Sequence, residues 1–335
     1  MASKLYRPLL LLLLLCQVGF LNANKVDNPK RHNIVLILID DLGWKDLGCY
    51  GSDYYQTPNV DRLASQGVRF TNGYAACAVC SPTRAAILTG KYPARLMLTE
   101  WLPSGRWNTR AKLRSGRFLR ALPLEEKTLA ESLRVAGYRT CIIGKWHLGG
   151  KPFNTARHHG FDVSIAANDH GNPGKYFYPY KGRWSIPTTG LKATWEVLPN
   201  GKPGEYLTDR LTDEAVTFLE ENHEKPFFLF LSHYAVHTPL QAKNTLIRKY
   251  QEIPQERRQG NPTYAAMVES VDESVGRVMK KLKGLGLENE TLIIFTSDNG
   301  GFARATNHAP LRGNKGSYYE GGIRVPLVLR WPGIA

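Results

Sequence analysis

Asn33-Ile-Val-Leu-Ile-Leu-Ile39, which runs directly into Asp40-Asp41, is the stretch on which the fold turns. A continuous apolar, β-branched run of this kind reads as a strand buried on both faces, and such strands occupy the centre of parallel sheets. Two carboxylates at its C-terminal end stand where open α/β sheets bind their ligands. Adjacent like charges are costly unless a cation lies between them, and oxygen ligands favour calcium or magnesium. The same pair also reads as two solvated loop acids or as a helix cap, so alone it is a weak metal signal.

Moving outward, similar apolar runs recur at residues 138–143, 226–231, 291–296 and 325–330, with a shorter strand at 68–70. Helical segments separate them. Thr57-Pro58-Asn59 opens one that runs through Leu63 and stops at Gly67. Others cover 128–136, 209–221 and 263–285, the last with Met267, Val271, Val275, Val278 and Leu282 on one face. The alternation predicts an α/β fold with a mostly parallel central sheet and helices on both faces. Residues 160–204 are rich in Gly, Pro, Asn and Tyr and read as a long irregular excursion, in which Asp169-His170 could reach a substrate.

Composition sets outer bounds. The chain has 335 residues, 42% of them hydrophobic and 22% charged, enough for one large α/β core or two domains. No period of 20 to 50 residues repeats, which excludes solenoids and propellers. Residues 1–23 read as a cleaved signal peptide: Lys4 and Arg7 precede an apolar Leu9–Phe20, and Leu21-Asn22-Ala23 offers a small residue for cleavage. Cys16 is a poor lipoprotein signal, because Leu15 stands before it. No other stretch reaches membrane-spanning length, so no integral membrane segment is expected. A signal peptide implies a periplasmic, extracellular or lysosome-like destination, with residues 24–335 as one domain.

The formal net charge of +15 suits an anionic partner, or a basic surface with no specific meaning. No zinc-finger, RNP or basic-helix motif marks a nucleic-acid binder, and a sulfated or otherwise acidic polymer fits an exported chain better. Cys16 would leave with the signal, so Cys49, Cys77, Cys80 and Cys141 remain. Cys77-x-x-Cys80 reads as a redox pair or half of a zinc site, but a second Cys/His pair at zinc spacing is missing. Cys80-Ser81-Pro82-Thr83-Arg84 has a further reading. Good helix formers follow at 85–88, so a thiol would sit at a helix N-terminus, whose free N–H groups favour an anion, with Arg84 one turn in. Residues 97–120 form a basic, loop-like region carrying Trp101, Arg106, Trp107, Arg110, Arg114, Arg117 and Arg120. Aromatics among arginines suit a sugar or anionic ligand, and equally a solvated loop.

Asp40, Asp41, Lys145, His147, His237, Asp298 and Asn299 all follow expected strands. In a parallel sheet those exits share one edge. Lys145 and His147 point the same way if the chain stays extended. Gly300 and Gly301 would let backbone approach a ligand, and residues 311–316 form a flexible cationic loop that carries Lys315. The combined reading is a hard divalent cation held by Asp40, Asp41, Asp298 and Asn299. Beside it stand a nucleophile at Cys80 and cations at Arg84, Lys145 and Lys315. Such a site binds and cleaves a tetrahedral oxyanion ester, sulfate or phosphate.

From about Asn33 onward the chain resembles the type I sulfatases of the alkaline-phosphatase superfamily. Cys80-Ser81-Pro82-Thr83-Arg84 matches the C-x-P-x-R signature, and Leu88-Thr89-Gly90 continues it, with Lys91 where arginine is usual. Ile39-Asp40-Asp41, Gly144-Lys145-Trp146-His147, His237-Thr238-Pro239, Ser297-Asp298-Asn299-Gly300 and Arg312-Gly313-Asn314-Lys315-Gly316 match the other site motifs in order.

The resemblance implies a secreted, arylsulfatase-like sulfuric ester hydrolase, here of sulfated carbohydrate. It implies that a formylglycine-generating or sulfatase-maturing enzyme oxidises Cys80 to formylglycine. It implies calcium bound by Asp40, Asp41, Asp298, Asn299 and the modified Cys80, with Asp298 helping to deprotonate the attacking hydroxyl. Arg84 and Lys145 would hold the aldehyde hydrate and the anion. His237 and Lys315 would grip the sulfate and assist the leaving oxygen, and His147 would take the second hydroxyl's proton. Family members carry a smaller C-terminal domain with a short antiparallel sheet, which is expected to be missing from this chain. The alternatives are a phosphonate or phosphate ester hydrolase on the same fold, an inactive anion-binding homologue that keeps the Cys80 thiol, and a Cys77/Cys80 redox pair.

Overall fold

The computed structural model describes residues 31–102, 112, 116–185 and 192–334. The signal segment 1–23 and the loop residues Arg106, Trp107, Arg110 and Arg114 lie outside the described residues.

In chain order the main elements are β1 (Asn33–Ile39), α1 (Pro58–Ser65), β2 (Val68–Tyr74), α2 (Cys80–Thr89), α3 (Pro93–Leu96), α4 (Leu129–Val135), β3 (Arg139–Gly144) and β4 (Val163–Ile165). They continue with β5 (Lys181–Ser185), β6 (Lys192–Glu196), α5 (Leu207–Asn222), β7 (Phe227–Ser232), α6 (Asn244–Gln251), α7 (Pro262–Gly284), β8 (Thr291–Ser297), α8 (Glu320–Ile323) and β9 (Arg324–Arg330). Among the described residues seven strands form one sheet in the order β2-β9-β8-β1-β7-β3-β4.

β1 lies at its centre, parallel to β7 on one side and β8 on the other. Side chains along a strand alternate between faces, and β1 shows the consequence. Val35, Ile37 and Ile39 join one core with residues of α1, α5 and α7, whereas Leu36 and Leu38 join a second with Ala85 and Leu88 of α2 and Ala130 of α4. Helices therefore cover both faces, as the alternation of elements predicts. Local signals set several helix starts. Thr128 and Glu131 form a reciprocal capping box on α4, and Pro58 and Pro262 stand in the first turns of α1 and α7.

The sheet is mixed on one side. β9 runs antiparallel to both β8 and β2. Between Ser297 and Arg324 the chain stays at the edge where β8 ends, so it re-enters the sheet from that edge running backwards. Residues 160–204 are also more regular than their composition implies. β4 adds to β3 in parallel, and β5 pairs with β6 as an antiparallel two-stranded sheet. These strands have only three to five residues, too few for a clear alternation in sequence. The short helix α6 is likewise absent from the sequence expectations, although Leu246, Ile247 and Tyr250 give it an apolar face.

Candidate active site

Four parallel strands end side by side, and each delivers polar residues to the same place. β8 leads to Asp298 and Asn299, β1 to Asp40 and Asp41, β7 to Ser232 and on to His237, and β3 to Lys145 and His147. The order β8-β1-β7-β3 makes them neighbours across as many as 258 residues of sequence. Asp40, Lys145, Asp298 and Asn299 are fully buried.

Buried charges need partners, and each carboxylate here has one. Lys145 Nζ donates to Asp40 Oδ2 at 2.6 Å. Lys315 Nζ donates to Asp41 Oδ2 at 2.7 Å, and Asn299 Nδ2 donates to Asp41 Oδ1 at 2.8 Å. Arg84 Nε donates to Asp298 Oδ2 at 2.9 Å, with Nη2 2.8 Å from the same oxygen.

Cys80 opens α2, and Val79 at the N-cap supplies no side-chain bond. The approach is tied down by Thr83, whose hydroxyl donates to Cys77 O at 3.0 Å and accepts from Cys77 N at 3.1 Å. One turn on, Arg84 Nη1 donates to Lys145 O at 3.0 Å and to Ser232 Oγ at 2.6 Å, so one guanidinium links α2 to three strand exits. Sequence reasoning left Ser232 without a role. Its only signal is a hydroxyl at the end of a buried strand. Cys77 and Cys80 are both free, and Cys77 Sγ lies 3.5 Å from Tyr318 Oη, so no disulfide supports the redox-pair alternative.

One ligand atom from each of Asp40, Asp41, Cys80 and His237 lies within 4.8 Å of the others, a grouping that could hold a metal ion. His237 joins this group although the sequence marks it only as a proton donor and sulfate ligand. Two buried oxygens, Asp40 Oδ1 and Asn299 Oδ1, have no hydrogen-bond partner. Orphaned carboxylate and amide oxygens beside further carboxylates are the donor set of a hard cation, so these residues fit calcium. The electrostatics point the same way. Burial raises the Asp40 carboxyl well above its ordinary value, Lys145 offsets this only in part, and Asp298 and Asp41 add to it. Burial also acts on Asp41, but Lys315, His237 and Lys145 outweigh it and hold that carboxyl low. For Lys315, burial is opposed by Asp41, Cys80 and Asp40, which together outweigh it and keep the ammonium charged. Burial pushes the Cys80 thiol up against the opposing pull of Lys145 and Lys315.

Both histidines are neutral. Burial and Lys145 lower His147 far below its usual value, and burial lowers His237 to about 4. His147 Nε2 bonds to Leu102 O, and a carbonyl only accepts, so Nε2 carries the proton and the buried, unpartnered Nδ1 is the basic nitrogen. His147 has φ +56, so the chain after β3 does not stay extended, and Lys145 and His147 reach the site by a left-handed turn. His237 Nδ1 donates to Thr238 O at 2.8 Å, which leaves Nε2 facing Asp41 Oδ2 at 3.6 Å. The close approach at Gly300 is to protein rather than to a ligand: a Cβ there would sit 1.9 Å from Gly321 O.

A cavity of about 680 Å³ opens over Cys80, His147, His237 and Lys315. Its outer wall includes Trp101, Asp169, His170 and Trp195, so the excursion after residue 160 does return to the site. Trp195 packs against His170 with ring centroids 4.7 Å apart.

Buried carboxylates, paired cations and a helix-borne cysteine gather at the carboxyl edge of the sheet of an α/β protein. The chain belongs to the sulfatase family, whose sequence model, described as Sulfatase, matches residues 32–335. It is 36% identical over 343 residues to N-acetylgalactosamine-6-sulfatase of Mus musculus, a match that covers 96% of this chain and 61% of the relative. It is 33% identical to steryl-sulfatase of Homo sapiens, with 90% of this chain and 62% of that one covered. Among solved structures, Ps i-CgsB in complex with k-i-k-neocarrahexaose superposes with a TM-score of 0.73 at 35% identity, covering 90% of this chain and 66% of that one. The chain thus spans roughly three fifths of the length of these curated relatives.

Proposed function

We propose that this chain carries the catalytic domain of an exported sulfuric ester hydrolase acting on sulfated carbohydrate, with formylglycine made from Cys80 by a maturing enzyme and one bound calcium ion. The observation that carries the reading is the convergence of the orphaned Asp40 Oδ1 and Asn299 Oδ1 with Cys80, the buried Lys145 and the half-buried Lys315. Asp40, Asp41, Asp298, Asn299 and the modified Cys80 would hold the calcium. When bound, the ion neutralises the carboxylates and draws charge from a sulfate oxygen. The hydrated aldehyde supplies the oxygen nucleophile that a protonated, buried thiol does not.

The remaining work falls to side chains of this chain. Lys145 and Lys315 attract and orient the sulfate. Arg84 fixes Asp298, which helps take the proton of the attacking hydroxyl. Lys315, held charged beside Asp41, assists the leaving oxygen as an acid, and His237 beside it grips the sulfate and joins in that role only once Nε2 is protonated. His147 accepts a proton at Nδ1. The aromatic wall of Trp101 and Trp195 suits a sugar ring. The name of the mouse relative and the oligosaccharide in Ps i-CgsB support a carbohydrate substrate, while the steryl-sulfatase likeness shows that kinship alone does not select one. Export is read from the apolar leader at residues 9–20. Among the described residues no helix is long and apolar enough to cross a membrane.

The test is co-expression of the full-length protein with a formylglycine-generating enzyme. Peptide mass across Cys80 is then compared with turnover of 4-nitrophenyl sulfate and 4-nitrophenyl phosphate. The expected result is an aldehyde at residue 80, faster sulfate turnover, and loss of both in Cys80→Ala. Active protein with an unmodified thiol sinks the mechanism. Faster phosphate turnover sinks the sulfate assignment in favour of a phosphate or phosphonate ester hydrolase.

A further inference from the structure

The cavity is much larger than one sulfate needs, and its rim carries charge that the proposed reaction does not use. Two of its lining residues, Arg120 and Lys151, are exposed cations. They leave the fold close together. Leu122 N donates to Leu148 O at 2.9 Å and Asn154 Nδ2 donates to Leu122 O at 2.9 Å, so the segments carrying Arg120 and Lys151 run side by side. Ala121 also lies against Gly149, where an added Cβ would come within 2.8 Å of Ala121 Cβ.

Neither cation has a hydrogen-bond or ion-pair partner among the described residues. Elsewhere the chain pairs many of its cations: Lys91 with Glu126, Lys243 with Glu273, Arg210 with Glu214. An unpaired surface cation is ordinary, but two on one stretch of rim, lining the same cavity as Cys80 and Lys315, are a larger feature. Asp169, which lines the same cavity, packs against Gly150 and stands 3.5 Å from His170 Nε2 rather than pairing with either cation.

We propose that Arg120 and Lys151 form a second anion subsite, which binds a sulfate or carboxylate group carried elsewhere on the saccharide whose sulfate ester enters the Cys80 site. The substrate is then a polyanionic saccharide rather than an isolated sulfate ester. This rests on the sulfate-ester reading above and adds a specificity element to it. Guanidinium and ammonium heads suit sulfate and carboxylate alike. On an exposed rim each contact is individually modest, so the subsite discriminates between substrates more than it fixes overall affinity. Trp195 and His170 line the same cavity, and their packed rings would give the sugar between the two anions a surface to rest on.

The experiment compares a disaccharide bearing one hydrolysable sulfate with the same disaccharide bearing a second sulfate. In full-length, formylglycine-bearing protein, the ratio of kcat/KM for the disulfated over the monosulfated substrate should fall about tenfold in Arg120→Ala/Lys151→Ala. It should fall further in the double glutamate variant and recover in Arg120→Lys/Lys151→Arg. An unchanged ratio overturns the proposal, and so does an equal loss on both substrates.

A second arm needs no turnover. Calorimetric binding of the disulfated disaccharide to the Cys80→Ala protein should weaken about tenfold when both cations are removed, and its salt dependence should flatten. If wild-type protein turns over neither substrate, the sulfate-ester reading fails, while this titration still decides the subsite. Equal affinity with and without the two cations rejects it.

Discussion

The Arg84 guanidinium and the Asp298 carboxylate form a fully buried ion pair in which Nε and Nη2 lie 2.9 and 2.8 Å from one oxygen, Oδ2. The remaining guanidinium nitrogen, Nη1, is spent on Lys145 O and Ser232 Oγ. Removing one member of such a pair strands the other charge in the interior. Arg84→Ala should therefore lower stability by about 3–5 kcal/mol. Arg84→Lys keeps a charge but cannot serve all three partners, so it should fall between wild type and alanine. Urea unfolding of the three proteins checks the order, and an alanine variant as stable as wild type would contradict it.

Calcium should stabilise the folded chain. At about a hundredfold its dissociation constant a ligand that binds only the native state adds ~2.7 kcal/mol. Thermal unfolding with calcium or with chelator should show this rise in wild type. It should vanish in Asp40→Asn, which removes a carboxylate whose Oδ1 has no hydrogen-bond partner. A calcium-dependent rise that survives in the variant would exclude Asp40 as a ligand.

Tyr264 holds the loop behind Asp41. Its hydroxyl donates to Asp46 Oδ2 at 2.6 Å and lies 3.3 Å from Asp41 O. Asp46 is buried without a cation and also accepts from Gly43 N, Gln259 Nε2 and Thr306 Oγ1. Tyr264→Phe should cost about 1.5–3 kcal/mol, the range for a hydrogen bond to a charged group. It should also weaken calcium binding measured by calorimetry, because Asp41 sits on the loosened loop. Calcium affinity that matches wild type would show the network to be structural only.

Asp272 on α7 accepts from Asn59 N, Asn59 Nδ2 and Val60 N at the start of α1. Burial nevertheless pushes its carboxyl up to about 6. A folded pKa above the unfolded value means that the native state holds the proton more tightly. This contribution to stability is fully present below the unfolded pKa and is lost as pH rises through about 4 to 6. Asp272→Asn carries no such proton. The stability of wild type relative to the variant should thus be greater at pH 4 than at pH 7 by about 2 kcal/mol. Urea midpoints across that range test it, and a gap that stays flat or widens with pH would be the wrong sign.

Gly144 closes β3 with φ +99, and a Cβ there would sit 1.9 Å from Ser232 O. Gly144→Ala must push β3 from β7 at the point where Lys145 and Ser232 meet Arg84. It should destabilise by at least about 2 kcal/mol, beyond the ordinary cost of a glycine replacement. A differential scanning midpoint equal to wild type would rule out the contact.

Much of the architecture is legible before any coordinates, because its signals are local. The apolar run of β1 is buried on both faces by its own composition, and the capping box at Thr128 marks α4 within a few residues. Each buried strand is followed by polar residues, so Asp40, Lys145, His237 and Asp298 stand out as strand exits. The direction of β9, the pairing of β5 with β6 and the turn at His147 are not legible in this way. They depend on where the chain has been carried by distant segments, or on a left-handed backbone that an ordinary residue does not announce.

The residue types of the site were therefore written into the chain, but the partnerships were not. Nothing local assigns Lys145 to Asp40, Lys315 to Asp41 or Arg84 to Asp298. The backbone hydrogen bonds of parallel strands are alike whichever strands pair, and the order β8-β1-β7-β3 comes from packing side chains on both faces of the sheet. That order sets charges from distant parts of the chain within 3 Å of one another in a dry interior. Only there does each carboxylate acquire its cation, and only there are two oxygens left over for a metal.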